Sequence, residues 1–311
     1  MEGQFLQQKT YEAKPFSAEM REGKRTSFEK LNEVMARLSQ EVNSTVKNEY
    51  GLRKLVDEEG RIREDRFMIG EGGGIYSAEE IEEDQELVNG QDRHNSGANN
   101  PSTQDFFKKQ FGISGTPESV VEQYLKNKNA QKSNQAEMAI TALLHKMLKE
   151  RFLVVRASTF DDYMHGMDNL ILDRETGAVI CAFDEVLRNE SDEPGVSKKL
   201  EKIKNHALKG GRKAKYGITL EDDKLVRSPL QNVPVFYLEL KSTDLDKLAN
   251  DLLDNFDGDA TKLEQSLFTH LVTSIKEQKG ILENLPLPQV MKNKLAAFEE
   301  SLGVLEGYAG K

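Results

Sequence analysis

The chain has 311 residues, a formal net charge of −10 and a hydrophobic content of only 37%. This length allows one substantial domain with appendages or two small domains, and the low hydrophobic content predicts one core surrounded by polar helices. The negative charge argues against a general coating of nucleic acid. The single cysteine, Cys181, excludes a disulfide within the chain and a cysteine-based zinc site. With no signal-peptide pattern and no apolar run of membrane-spanning length, we expect a cytoplasmic protein without a membrane partner.

The first hundred residues predict a helical region that ends in a polar linker. Apolar residues between Phe28 and Val42 recur at steps of three and four, which is typical of one face of a helix. The run Gly70 to Gly74 lacks the ending of a phosphate-binding P-loop and is interpreted as a connector. Residues 89–103 are rich in Asn, Gly and Ser, as linkers are. We therefore expect a domain boundary at residue 103.

Three helices are predicted after this boundary, over residues 104–111, from Thr116 to residue 125, and from Asn134 onward. The third is the longest, and Glu137 lies one turn into it. Asn134 and Glu137 have the spacing of a capping box, so the acid has a structural interpretation as well as a functional one.

Three strands are predicted next, over residues 152–155, 167–172 and 178–183. The last is continuously apolar, as expected of a strand buried on both faces. Between the second and third strands, Asp173 opens a turn that ends with Gly177, a residue that adopts positive φ at no steric cost. We expect these two strands to pair antiparallel.

That pairing brings two aspartates close together. Counting outward from the turn places Asp168 opposite Asp184 to within one residue, and opposed carboxylates repel unless a cation or a proton intervenes. Oxygen ligands of this kind suit Mg²⁺ or Mn²⁺. The alternative is that both acids mark strand ends in solvent. Asp161 and Asp162, in the preceding loop, are further candidate ligands.

A basic segment and a fourth strand complete the predicted core. Between Lys198 and Lys215 there are eight basic residues against the single acid Glu201. Such a run is either a solvated helix face or a surface that guides a nucleic-acid backbone. The fourth strand, residues 233–240, follows this helix and can therefore join the sheet in parallel.

The chain from residue 242 onward is predicted to be helical, and it packs on the core or against another subunit. The prediction is thus an α/β fold in three parts: a helical region over residues 1–103, an α/β core over 104–241, and C-terminal helices over 242–311. The terminal helices are candidate contacts for a homo-oligomer or a protein partner.

The order helix, three strands, helix, strand, together with the phrases FDDYMHGMDNLIL and CAFDEV, resembles the restriction-endonuclease-like core of the PD-(D/E)xK nuclease-like superfamily over residues 134–241. The resemblance implies that Glu137, Asp168 and Asp184 bind Mg²⁺ or Mn²⁺. It also implies a catalytic lysine two positions after the last acid, where this chain has Val186. Lys199 or Lys202, in the following helix, is the candidate replacement.

The resemblance implies an endonuclease that cleaves DNA or RNA phosphodiesters, with the segment from Lys198 to Lys215 contacting the backbone. The missing lysine leaves open an inactive relative that acts as a binding or scaffold module. A second alignment takes Glu239 and Lys241 as the motif, but it places a long insertion with a helix inside a simple hairpin.

Overall fold

The structure is a computed structural model that describes residues 25–50, 54–64, 75–189, 193–221 and 224–310. The run Gly70 to Gly74 lies outside the described residues. The helices are α1 (Ser27–Tyr50), α2 (Ala78–Asn95), α3 (Pro101–Phe111), α4 (Pro117–Asn129), α5 (Lys132–Leu148), α6 (Thr159–His165), α7 (Glu193–Leu208), α8 (Ser242–Asp254), α9 (Lys262–Glu283) and α10 (Gln289–Ala309). The strands are β1 (Phe152–Arg156), β2 (Asn169–Asp173), β3 (Val179–Arg188), β4 (Arg212–Ala214), β5 (Ile218–Glu221), β6 (Lys224–Arg227), β7 (Leu230–Val233) and β8 (Val235–Lys241). No described helix has the length and apolar character needed to span a bilayer.

A small mixed sheet organises the fold, with strand order β1-β2-β3-β8. β1 pairs with β2 and β2 with β3 in antiparallel fashion, and β8 joins β3 in parallel. The predicted α/β class, the antiparallel hairpin and the parallel fourth strand are confirmed. Helix α5 packs against β1 and β3, while α7 and α9 pack against β8.

The turn between β2 and β3 forms as its residues predicted. Gly177 donates its N–H to the Asp173 carbonyl at 2.8 Å, and Asp173 donates to Ala178 at 2.9 Å. Gly177 has a φ of 69° and lies so close to Leu220 that an added Cβ would stand 2.1 Å from that residue's Cβ. Both the backbone conformation and the close approach therefore require glycine.

Strand β3 continues beyond its predicted end at residue 183. The parallel register with β8 runs from Ala182 opposite Val235 to Arg188 opposite Lys241. Asp184 therefore lies inside a strand, because the ladder with β8 compensates for the low strand propensity of an aspartate.

At each edge of the sheet, one residue bonds through its backbone to another part of the chain. Along β8, the Gln278 side chain accepts from Tyr237 N–H at 2.9 Å and donates to the Tyr237 carbonyl at 2.8 Å, as a neighbouring strand would. Along β1, Arg156 donates to the Gly60 carbonyl at 2.9 Å and Ile62 donates to the Arg156 carbonyl at 3.0 Å. At Tyr237 and at Arg156 the chain itself therefore occupies backbone groups that an edge strand would otherwise offer to another chain.

The predicted linker over residues 89–103 is wrong. These residues lie in the second half of α2, a tight connection and the start of α3. Val88 and Asp92 are buried on α2, and the Asn100 side chain caps α3 by accepting from Ser102 N–H at 2.9 Å. Polar composition here reflects helix caps and an exposed helix face, because Asn and Ser serve both purposes.

The buried residues form one continuous hydrophobic core, which includes Leu31 of α1, Phe183 of β3 and Leu305 of α10. Several further elements were not predicted. Residues 159–165, expected to be a loop, form α6, and the strands β4 to β7 form two small two-stranded sheets, β4 with β7 and β5 with β6.

Candidate metal centre

Glu137 projects from the second turn of α5 and is paired with Arg156. The Arg156 guanidinium donates from Nη2 to Glu137 Oε2 at 2.9 Å and to Asn134 Oδ1 at 2.8 Å. The Asn134 amide also donates to the Asn129 carbonyl at 2.7 Å. Since α5 begins at Lys132 without a side-chain cap, the capping-box interpretation of Asn134 and Glu137 is wrong.

Helix α6 presents two neighbouring aspartates in different directions. Asp162 accepts from Arg61 Nη1 at 3.0 Å. Asp161 is buried and accepts from the backbone N–H groups of Lys215 and Tyr216, at 2.7 and 2.9 Å. Successive helical residues lie about 100° apart, so only one of this pair can face the sheet end.

Asp168 stands immediately before β2, where the regular ladder with β3 ends. In the β2–β3 ladder Asn169 pairs with Phe183, so Asp168 would be opposite Asp184 if the ladder continued. Instead, the Asp168 N–H donates to the Phe183 carbonyl at 2.8 Å. Its carboxylate oxygen Oδ2 accepts from Glu185 N–H at 2.7 Å. The Asp168 side chain thus takes the place of a backbone acceptor.

One carboxylate oxygen from each of Glu137, Asp162 and Asp168 lies within 4.8 Å of the others. We call these three residues the acid cluster. Metal to oxygen distances of about 2.1 Å place octahedral ligands roughly 3 Å apart when adjacent and roughly 4 Å when opposite, so oxygens within 4.8 Å of one another are near the spacing that one Mg²⁺ or Mn²⁺ requires. The donor set is entirely oxygen, as these cations prefer.

A fourth acid, Glu185 of β3, lies beside the acid cluster. Its Oε1 accepts from the Asn169 amide, and Asn169 in turn accepts from Thr141 Oγ1 of α5 at 2.9 Å. Glu185 Oε2 is buried without a hydrogen-bond partner. Glu185 was not a candidate from the sequence: alternation along β3 puts Asp184 and Glu185 on opposite faces, but it does not show which face lies toward α5. In the structure Phe183 and Glu185 share that face.

Asp184, a predicted metal ligand, does not join the acid cluster. Alternation along β3 turns its side chain away from Glu185 and toward α7. There it accepts from Lys199 Nζ and, at 3.1 Å, from Lys202 Nζ. The two lysines proposed for catalysis therefore contact Asp184. Of the three predicted metal ligands, the structure brings together only Glu137 and Asp168.

Like charges dominate the acid cluster. Burial, followed by Glu137 and Asp162, raises the pKa of Asp168 to about 7. Burial and Asp168 raise the pKa of Glu185 well above its usual range. Four carboxylates face the guanidinium groups of Arg61 and Arg156, so two negative charges remain to be neutralised by protons or by a divalent cation.

The remaining predicted groups lie elsewhere. Glu239 of the alternative motif pairs with Arg188 at 3.0 Å. Within the basic segment, Lys204 pairs with Glu201 at 2.8 Å and Lys215 with Asp84 at 2.5 Å. Part of the segment's charge is therefore neutralised by the chain itself.

Comparison of the chain with protein-family models, with curated proteins and with solved structures gave no match. The resemblance to the PD-(D/E)xK nuclease-like superfamily therefore stays a prediction.

Proposed function

We propose that this chain is a divalent-cation-dependent phosphodiesterase with a PD-(D/E)xK nuclease-like core, acting on nucleic acid. The observation that carries the proposal is the convergence of carboxylate oxygens from Glu137, Asp162 and Asp168 within 4.8 Å. The sheet supports it: leaving aside α6 between β1 and β2 and the strands β4 to β7 after α7, the order is a helix, three antiparallel strands, a helix and a parallel strand, as the resemblance implies.

Each acid has a distinct part in this proposal. A bound Mg²⁺ or Mn²⁺ supplies Lewis-acid polarisation of a phosphoryl oxygen and a more acidic water. Arg156 and Arg61 orient Glu137 and Asp162, while the Glu185 N–H orients Asp168. Burial raises the pKa of Glu185, and its unpartnered Oε2 is therefore suited to hold a proton beside Asp168.

A second candidate, an inactive nuclease-fold module that binds or scaffolds, is favoured by two contacts. Arg156 pairs with Glu137 at 2.9 Å and Arg61 with Asp162 at 3.0 Å, so part of the acidic charge is already neutralised. Among the described residues, the acid cluster is paired with arginines and not with the lysine that the resemblance implies.

Cleavage assays separate the two candidates. Wild type, Asp168→Asn and the exposed control Asp257→Asn are incubated with supercoiled DNA, single-stranded DNA and RNA in Mn²⁺ or in EDTA. We expect Mn²⁺-dependent cleavage by wild type and the control. Asp168→Asn changes a residue that holds the metal, so it should reduce cleavage by more than roughly 10–100-fold. That range is the loss expected when a residue that only contacts a metal ligand is removed. Nucleic-acid binding without cleavage of any substrate would favour the inactive module.

A further inference from the structure

A second charged cluster lies on the α7 side of β3. Lys199, Lys202 and His206 are spaced by three and four residues, so they share one face of α7. Arg212, at the start of β4, reaches the same place and donates from Nη2 to His206 Nε2 at 2.7 Å. Together with Asp184, these residues form what we call the basic cluster.

Asp184 holds the two lysines at the surface. Both of its carboxylate oxygens are occupied, one by Lys199 and one by Lys202 at 3.1 Å. The Asp184 side chain is only 8% exposed, whereas those of Lys199 and Lys202 are 33% and 45% exposed. A buried carboxylate therefore fixes two amines that remain accessible to a ligand.

Arg212 adds a positive charge that its close partners do not neutralise. Because its Nη2 donates to His206, the accepting ring nitrogen carries no proton. The guanidinium lies over Gly166, where an added Cβ would stand 3.1 Å from Nη1, and Gly166 has a φ of 58°. Arg212 Nε is buried without a partner. The guanidinium is thus positioned by a neutral ring and a glycine.

Positive charges outnumber negative ones around His206. Burial, then Arg212, Lys202 and Lys209, lowers the pKa of His206 to about 4. Burial also lowers the pKa of Arg212, while the charges of Asp184 and Asp168 act in the opposite direction. The basic cluster has three cations, Lys199, Lys202 and Arg212, and one carboxylate, Asp184. The charge of Asp168, in the neighbouring acid cluster, also acts on Arg212.

We infer that Lys199, Lys202 and Arg212 form a phosphate subsite and that Asp184 is its positioning residue. Two excess positive charges and several N–H donors match a phosphate group, which carries charge on several oxygens. The assignment of this subsite to a backbone phosphate of nucleic acid, adjacent to the phosphate bound at the acid cluster, rests on the proposed function. The inference that the subsite binds a phosphate group does not depend on the proposed function.

The test uses the full chain in EDTA, so that neither a metal nor cleavage contributes. Inorganic phosphate is titrated while the His206 ring resonances are followed by NMR, with His206→Asn used for assignment. A bound anion favours the protonated ring, so the pKa of His206 should rise from about 4. Binding of a fluorescein-labelled single-stranded oligonucleotide, followed by anisotropy, forms a second arm.

Lys202→Met and Arg212→Gln should each weaken phosphate and oligonucleotide binding by about tenfold or more, since each removes a charged hydrogen bond. Lys213→Met is the matched control, because Lys213 neighbours Arg212 in sequence but is exposed and is not a member of the basic cluster. It should leave phosphate binding unchanged.

An unchanged His206 pKa at saturating phosphate overturns the subsite, and so does an equal loss in Lys213→Met. If phosphate binds but neither variant affects the oligonucleotide, the backbone assignment is refuted. If the protein binds phosphate but cleaves no substrate, the subsite is supported and the proposed function is refuted. If it cleaves nucleic acid but phosphate does not change the His206 pKa, the proposed function is supported and the subsite is refuted.

Discussion

Replacing Asp168 with asparagine removes one charge from the acid cluster while keeping its shape. The amide oxygen can still accept from Glu185 N–H, a bond of 2.7 Å in the native protein. Burial, Glu137 and Asp162 raise the pKa of Asp168 from 3.8 to about 7. A raised native pKa means that the folded chain binds this proton more tightly than the unfolded chain. Its contribution to stability is therefore complete below about pH 4 and lost as the pH rises through 7.

The magnitude follows from the size of that shift. About three pKa units correspond to roughly 4 kcal/mol of stability lost between pH 4 and pH 8 in metal-free protein. Asparagine avoids this loss, but its buried NH₂ group costs about 1–3 kcal/mol if it finds no acceptor. We therefore expect Asp168→Asn to be more stable than wild type by about 1–3 kcal/mol at pH 8, with the gain near zero at pH 5.

Urea unfolding at both pH values in EDTA measures this difference. Repeating it with Mn²⁺ tests the metal site, since a ligand at 100 times its Kd stabilises by about 2.7 kcal/mol. Wild type and Asp184→Asn should gain this stability, and Asp168→Asn should not. The reasoning is refuted if Asp168→Asn is equally destabilised at both pH values, or if Asp184→Asn loses the Mn²⁺ response while Asp168→Asn keeps it.

Two further predictions concern the fold, and both are checked by urea unfolding. Gly177→Ala should cost about 2–4 kcal/mol, because positive φ strains alanine and the new methyl group meets Leu220; an unchanged midpoint would contradict the turn geometry. Glu264→Gln should cost about 3–5 kcal/mol, because it leaves the Lys146 ammonium buried without its counter-charge. Glu306→Gln, which breaks an exposed pair with Lys276, should cost far less than Glu264→Gln, and equal costs would contradict the role of burial.

Local pattern was sufficient for the order of elements in the core. Alternation and apolar runs predicted β1, β2, β3 and β8, and the Asp173 to Gly177 turn predicted the hairpin. These features are decided within a few residues, by side-chain periodicity and by the conformations that glycine allows. Composition was a poorer guide over residues 89–103, because the same polar residues serve as linkers and as helix caps.

The members of the acid cluster depended on contacts between residues far apart in the chain. Asp162 reaches it because α6 folds over the end of the sheet, and its partner Arg61 is 101 positions away. Whether Asp184 or Glu185 faced α5 could not be read from their order in β3. A shift of one residue exchanges the two faces of a strand, and the partner strands and the packed helix set that register.

By itself, the sequence determined a mixed sheet with a helix crossing to a parallel fourth strand, and it gave a set of candidate ligands: Glu137, Asp161, Asp162, Asp168 and Asp184. The tertiary structure alone decided that Asp162 completes the acid cluster and that Asp184 holds Lys199 and Lys202. The reason is physical: strand formation depends on neighbours in sequence, whereas the direction of a carboxylate depends on which cation or N–H donor the fold brings to it.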